Sequence, residues 1–553
     1  MHCRDPRNMQ EPEIFLRYWH TIRYLKPVQI YGRLWFRLRR PASDLRPAPA
    51  LRPVSGVWVR CARQSCMSGP TTFRFLSVTR EATVVADWNR SDWPKLWLYN
   101  LHYFDDLNAD DAAARVAWHR TLVSRWIAES PPATGNGWEP YPLSLRMVNW
   151  IKWLAAGNAP EAGMVASLAV QARWLMKRLE RHLLGNHLLA NAKALVFAGT
   201  FFAGAEADAW RQQGLEILRR EHAEQILNDG GHFERSPMYH AIILEDLLDL
   251  IQLALRWPGV IDADTEAAWR HDARRMLRWL AGMSHPDGEI ALFNDAAFGI
   301  APNLAALTAY AGALGIAAVG SPSRRRRLFP DSGYLRAEVG EATLLADVGE
   351  IGPDYLPGHA HADTLSFELS VFGQRVVVNS GTSEYGLGAE RLRQRGTAAH
   401  STVQIDGADS SEVWRGFRVA RRARPVGFAA SEGVDAVLAS CAHDGYCRLP
   451  GRPLHRRSWH MTGQGLHVTD AIEGDFREAV ARFYLHPAVT ASVAGEGGIL
   501  TLPDKHIIRW SVTGGAARIV PATWHPEFGQ SIASACIELV FNGPQVTMEL
   551  FWA

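Results

Sequence analysis

Cysteine is scarce in this chain: six in 553 residues, at Cys3, Cys61, Cys66, Cys441, Cys447 and Cys536, none in a Cys-x-x-Cys spacing. So few in so long a chain exclude a disulfide scaffold. Cys61 with Cys66 and Cys441 with Cys447 are close enough in sequence to pair in an oxidising compartment, whereas free buried thiols are the simpler expectation. Net charge is nearly absent as well, +2 from 59 basic and 57 acidic residues. No global pull towards nucleic acid follows, and an anionic ligand must be met by a local cluster. No apolar run suits a membrane span: the most apolar window, "LLANAKALVFAGTFFAGA", is short and carries Lys193, so it reads as a buried helix. The N-terminus "MHCRDPRNMQEPEIFLRYWH" has no apolar signal core, so the sequence as written predicts a soluble, cytoplasmic chain, while a mis-assigned start would hide an export signal. Internal repeats and low-complexity tails are missing too.

Hydrophobic residues make up 47% and charged residues 21% of the chain, enough apolar content for a sizeable core. A prior of roughly 150 residues per domain predicts two to four domains. Residues 1–90 are mixed, rich in Arg, Trp and Pro without a sustained period, and are expected to pack as an extension on a helical domain. Over residues 91–320 the period is helical, in segments such as "PLSLRMVNWIKWLAAG", "AWRQQGLEILRREHAEQIL" and "YHAIILEDLLDLIQLALRW". Short Gly/Pro/Asp connectors between them predict antiparallel pairs closing into a barrel of helix hairpins. Four arginines, Arg324 to Arg327, read as a solvated linker rather than a nucleic-acid patch. From there to residue 553 the period changes to two, in short runs cut by Gly, Asp and Asn, which predicts an antiparallel β-sandwich.

Three stretches of the helical half break the core pattern. In "LLGNHLLANAKALVFAG", Asn186 and His187 stand at a helix start, where a cap or a core histidine would serve as well as a functional role. In "DGGHFERSPMYHAII", His232, Glu234, Arg235, Tyr239 and His240 crowd around Pro237, more titratable groups than a helix start needs. In "TGNGWEPYPLSLRMVNW", Trp138, Glu139, Arg146, Asn149 and Trp150 combine aromatic faces with hydrogen-bonding groups. Such pairs grip sugar rings, although for any one Trp plain core packing is the competing reading.

The β half opens with "GHAHADTLSFEL". If extended, it places His359 and His361 on one side. Asn379, the run Arg391 to Arg395, and His400 in "TAAHSTV" form a second polar set. These histidines suit a zinc-type site, acid/base catalysis, or a structural role, and spacing alone leaves all three open.

Taken together, "GNHLLANAKALVFAG", "GGHFERSPMYH", "GHAHADTLSFEL" with "VNSGT", and "TAAHSTV" resemble the heparinase II/III-like polysaccharide lyases, in the family's order across roughly residues 90 to 420. The resemblance implies an α/α toroid, an incomplete helical barrel, packed on a β-sandwich. The implied reaction is β-elimination on an acidic polysaccharide at a uronic acid, with no cofactor required. It also implies roles. Asn186 neutralises the carboxylate with His187 beside it, Tyr239 is the acid and in some substrates the base, and His359 is the base. His361 and His400 match histidines that hold a structural zinc in metal-bearing members, and His400 has catalysis or substrate binding as its other role. His240, Arg235, Trp138, Glu139, Arg146 and Arg395 are the further candidates for holding substrate.

Two departures stand out. Metal-bearing relatives carry an aspartate where this chain has Asn379, and an amide is a weaker, neutral ligand. Many relatives also act outside the cytoplasm, in a periplasmic or secreted setting. A glycoside hydrolase would need a pair of facing carboxylates, and Glu139, Glu234, Glu245 and Asp295 suggest none. A non-catalytic exopolysaccharide-binding factor would not need Asn186, Tyr239 and His359 together.

Overall fold

The computed structural model describes residues 11–317 and 326–552. Among them are twelve α-helices. The first two, α1 (Glu11–Ile22) and α2 (Pro27–Leu38), precede a long stretch ending in a small hairpin, Thr72–Phe75 with Val78–Glu81. Nine follow as the toroid: α3 (Lys95–Tyr103), α4 (Val116–Glu129), α5 (Pro140–Ala155), α6 (Met164–Lys177), α7 (Gly185–Phe201), α8 (Ala205–Gln225), α9 (Pro237–Arg256), α10 (Ala263–Gly282) and α11 (Leu304–Ala313). Proline opens α5 and α9, where its missing N–H has no helical partner to lose. At α9 the Ser236 hydroxyl caps the helix by accepting from the Tyr239 N–H at 3.2 Å.

The apolar window that excluded a membrane span is α7, buried along almost its whole length. Among the described residues no helix is long and apolar enough to cross a membrane. Helix α8 lies directly against α7 because two glycines remove the side chains between them. A Cβ on Gly199 would come within 2.4 Å of the Arg211 nitrogen, and one on Gly214 within 2.7 Å of the Ala192 carbonyl. Lys193 ends in a buried ion network, donating to Asp246 and Asp249 at 2.6 Å each, while Asp249 also accepts from Lys152 and Tyr310.

The second half is an antiparallel β-sandwich of an eight-stranded and a nine-stranded sheet, with α12 (Ala389–Arg395) set between strands. Alternation is clearest in Leu454–Thr462 and Gly465–Glu473, whose buried positions recur every second residue. Arg326 and Arg327 are not linker residues. They sit in the edge strand Arg326–Phe329, paired with Tyr334–Val339, while Arg324 and Arg325 lie outside the described residues. The "GHAHAD" segment is a loop of turns just before the strand Phe367–Val371, not an extended strand. All five described cysteines are unbonded thiols, as expected of a core without staples.

Toroid and sandwich are joined through a buried carboxylate. Glu368, on Phe367–Val371, accepts from His285 after α10 at 2.8 Å, from the Leu292 N–H at 3.0 Å, from the Asn379 N–H at 3.1 Å and from Arg375 at 3.2 Å. Arg375 in turn holds Asp287 at 2.6 Å. Removing one member of such a buried set leaves charge and donors unmet. Glu368→Ala is expected to destabilise the protein by about 3–5 kcal/mol, read as a lowered urea midpoint by circular dichroism.

Candidate active site

A cavity of about 470 Å³ opens where α2, the start of α7, the turn before α9 and two loops of the sandwich converge. Asn186 and His187 reach it from the toroid and His359 from the sandwich, so residues distant in sequence share one cleft. Three arginines, Arg33, Arg415 and Arg418, line it against two carboxylates, Glu234 and Asp354. Asp354 is occupied by Arg422 and Arg424, and burial pushes Glu234 up towards its neutral form. The cleft therefore presents a net positive field to a polyanion.

His359 is fixed from behind. Its Nδ1 lies 2.9 Å from the Asp295 carboxylate, and its backbone carbonyl accepts from the Asp295 N–H at 2.9 Å. Asp295 is wholly buried, with Arg391 forked onto both its oxygens and His361 Nε2 at 2.7 Å. Burial alone would raise this carboxyl; Arg391, His359 and His361 instead hold it well below the usual range. An imidazole whose Nδ1–H is taken by a carboxylate presents Nε2 as an acceptor, and Nε2 faces the cleft with Glu234 at 3.7 Å.

Tyr239 lies against this histidine, the two rings 3.9 Å apart between centroids. Its hydroxyl meets that of Tyr385 at 3.0 Å. Burial, then the neighbouring Tyr385 and Tyr141, pushes Tyr239 well above the ordinary phenol value, so it holds its proton. Asn186 lines the cleft instead of capping: α7 begins one residue earlier, after Leu184 at φ +63°. The Asn186 backbone N–H favours the ionised form of Glu234 and so works against burial there. Burial opposes charge on His187, but Glu180 at 3.3 Å raises it above its usual value.

Other expected residues lie elsewhere. His240 is buried, with Nε2 3.0 Å from the Met276 carbonyl, its ring against Trp279 and its pKa lowered by burial to about 3. Arg235 reaches across to the Glu350 and Asp331 carbonyls, tying toroid to sandwich. Arg146 is fully buried, donating to the Gly137 carbonyl at 2.7 Å beneath the Trp126 ring, and Trp138 packs against Trp126 and Trp174. Glu139 is held by Lys95 and Tyr99. None of these lines the cleft. Arg395 is buried too, but its guanidinium donates to the Ala360 carbonyl at 2.9 Å and so fixes the loop carrying His359 and His361. Asp363 supports the same loop, accepting from the Asn294 N–H at 2.9 Å.

The metal expectation does not fit the donors. His361 Nδ1 faces His400 Nε2 at 3.3 Å, but Asp295 holds the other side of His361. Asn379 uses its amide on Ser366 at 3.3 Å and on the Ser401 N–H at 3.2 Å. Among the described residues no group of three or more His, Cys, Asp or Glu side chains is arranged to hold an ion. Burial lowers His361 to about 4 and His400 to about 3.

Asp295 and Tyr385 are what sequence reasoning missed in their present roles. The one signal for Asp295 was a charged residue inside the apolar run "IALFNDAAFG". Tyr385, in a loop, carried none.

Comparison with known proteins gives a consistent picture. Residues 115–311 match the family model described as Heparinase II/III N-terminus, and residues 321–553 match Heparinase II/III-like, C-terminal. FtsZ-localized protein C of Caulobacter vibrioides is 27% identical over 82% of this chain and 81% of its own length. A heparin-sulfate lyase of Bacteroides stercoris is 28% identical over 40% of this chain, which spans only 36% of that relative. Among solved structures, heparinase III superposes with a TM-score of 0.69 at 18% identity, covering 84% of this chain and 79% of that one. Chondroitin AC lyase of Streptomyces coelicolor gives 0.51 at 13% identity over 88% and 77%. At these identities the likeness is one of fold.

Asp295→Asn is expected to cost about 3–5 kcal/mol at neutral pH, because Arg391 then loses its buried partner. The native carboxyl binds its proton less readily than the unfolded one, whose value is the ordinary 3.8. Its contribution is therefore full above that value and lost as pH falls through the depressed native one. Urea midpoints at neutral and acid pH should show the gap between wild type and Asp295→Asn narrowing on acidification.

Proposed function

The chain belongs to the heparinase II/III-like family, and from that premise we propose that it is a polysaccharide lyase cleaving a uronate-containing glycan by β-elimination. The observation carrying this reading is His359, oriented by Asp295, stacked on a protonated Tyr239, in a cationic cleft beside Asn186. The proton on C5 of a uronate is too weakly acidic to leave while the adjacent carboxylate keeps its charge. The Asn186 amide and the cleft arginines neutralise that carboxylate and stabilise the enolate-like intermediate. His359 Nε2 takes the C5 proton. The C5–H electron pair becomes the C4–C5 double bond, the C4–O4 bond breaks, and O4 leaves with its pair and takes a proton from the Tyr239 hydroxyl. The raised pKa of Tyr239 supports the acid's part for it, and the carboxylate behind His359 supports the base's part there. Acid, base and carboxylate clamp are all side chains of the protein, so the chemistry calls for no cofactor.

The partner is an acidic polysaccharide. Relatives named heparin-sulfate lyases make sulfated uronate polymers the first to try. A hydrolase would need two free carboxylates facing the scissile bond; of the two that line the cleft, Asp354 is held by Arg422 and Arg424, and Asp295 is buried under Arg391 and both histidines. Residues 91–320 and 321–553 then divide the labour: the toroid brings Asn186 and the acid, the sandwich brings the base and two of the cleft arginines, Arg415 and Arg418.

The test is incubation with a panel of uronate polysaccharides, following the ultraviolet absorbance of the unsaturated product. His359→Ala and Tyr239→Phe should each lower turnover by about 10²–10⁴-fold with an unchanged melting profile. Asn186→Ala should lower it by about 10²–10³-fold. Wild-type turnover in His359→Ala or Tyr239→Phe would discard the mechanism.

A further inference from the structure

Helices α1 and α2 are amphipathic the wrong way round for a core element. The inner stripe of α2 holds Gln29, buried and donating to the Tyr355 carbonyl at 3.0 Å, and Phe36, whose ring lies 4.4 Å from that of His182. Gly32 allows the contact, since a Cβ there would already sit 3.0 Å from His182 Cβ. The outer stripe is the apolar one. Phe15, Trp19 and Ile22 follow one another at helical spacing on α1, with Phe15 70% and Trp19 55% exposed. Tyr31, Leu34, Trp35 and Leu38 do so on α2, with Trp35 63% and Leu38 71% exposed. Large side chains grouped like this on adjoining helices exceed what scattered surface apolars explain.

Charge says what covers them. Between residues 11 and 40 there are seven Lys or Arg and two acidic residues, Glu11 and Glu13. Arg23, Arg37, Arg39 and Arg40 are exposed around the apolar stripe. Apolar anchors with Trp and Tyr, ringed by arginines, are complementary to an anionic lipid surface: the rings enter the headgroup boundary and the guanidinium groups meet phosphates. Each helix has twelve residues, about 18 Å, too short to span a bilayer and suited to lying on one. We infer that α1 and α2 form an interfacial element that docks this protein on a bilayer containing anionic phospholipid. Their inner sides, through Thr21, Leu25, Gln29 and Arg33, line the cleft, so docking holds the cleft close to the lipid surface. This rests on exposure and charge and is independent of the lyase reading.

The experiment is cosedimentation of the full chain with phosphatidylcholine vesicles, with and without phosphatidylglycerol, at low and high salt. The expected result is binding to the anionic vesicles that weakens with salt. It should fall more than tenfold in Trp19→Glu/Trp35→Glu and in Arg37→Glu/Arg39→Glu/Arg40→Glu, with unchanged melting profiles. Failure of the wild type to bind anionic vesicles overturns the inference, as does undiminished binding by the tryptophan pair. A dimer in size exclusion that the tryptophan pair dissociates, with no vesicle binding, also overturns it and assigns the face to a second copy of this chain.

Discussion

A single buried negative charge organises the cleft. Asp295 has no contact with solvent, yet it joins three segments far apart in sequence. Its carbonyl accepts from the Ser236 hydroxyl that caps α9, its N–H donates to the His359 carbonyl, and its carboxylate takes Arg391 of α12 together with both histidines of the loop. Isolated in a protein interior this carboxylate would be too costly to ionise; with one arginine forked on it and two imidazoles beside it, ionisation is favoured. The direction of dependence runs outward from that charge. Tyr239 stands three residues after Ser236, so the link that sets Asp295 also sets where the Tyr239 and His359 rings meet.

The sandwich contains an informative counterpart. His455 Nε2 lies 2.7 Å from Asp470, its Nδ1 faces His443 Nε2 at 3.2 Å, and Arg457 binds the same Asp470. This repeats the set His361, His400, Asp295 and Arg391 in composition and almost in distance, and all four residues are fully buried away from the cleft. Two imidazoles, a carboxylate and a guanidinium thus satisfy one another inside a β-sandwich. What distinguishes the first set is His359, the additional imidazole on the same carboxylate, partly exposed and facing a cavity.

Legibility in the sequence followed physical range. Helix and strand came through as periods of 3.6 and two, because each element buries one face against a neighbour. The motif order also located Asn186, Tyr239 and His359, three residues the fold brings to one place. Roles that depend on a long-range partner did not come through. Asp295 was one carboxylate among many until Arg391, 96 residues on, was seen to hold it. Arg146 and Trp138 misled for a related reason: a cation over an aromatic ring has the same composition in a sugar site as in a core, and burial decides which. In residues 1–90 the missing period concealed α1 and α2, whose apolar residues face outward and so match no core pattern.

Glu234 poses the remaining electrostatic problem, since an ionised carboxylate beside Asn186 would repel a uronate. Burial eases it by raising the Glu234 carboxyl above its ordinary value. A carboxyl that ionises less readily opposes the arginine field of the cleft less. The His359 imidazole 3.7 Å away acts the other way, because positive charge at that distance favours the carboxylate. The same side chain is thus drawn two ways, by burial towards the acid and by His359 towards the carboxylate. Such a response requires a carboxyl buried enough to be raised and close enough to be coupled, and in this cleft Glu234 meets both conditions.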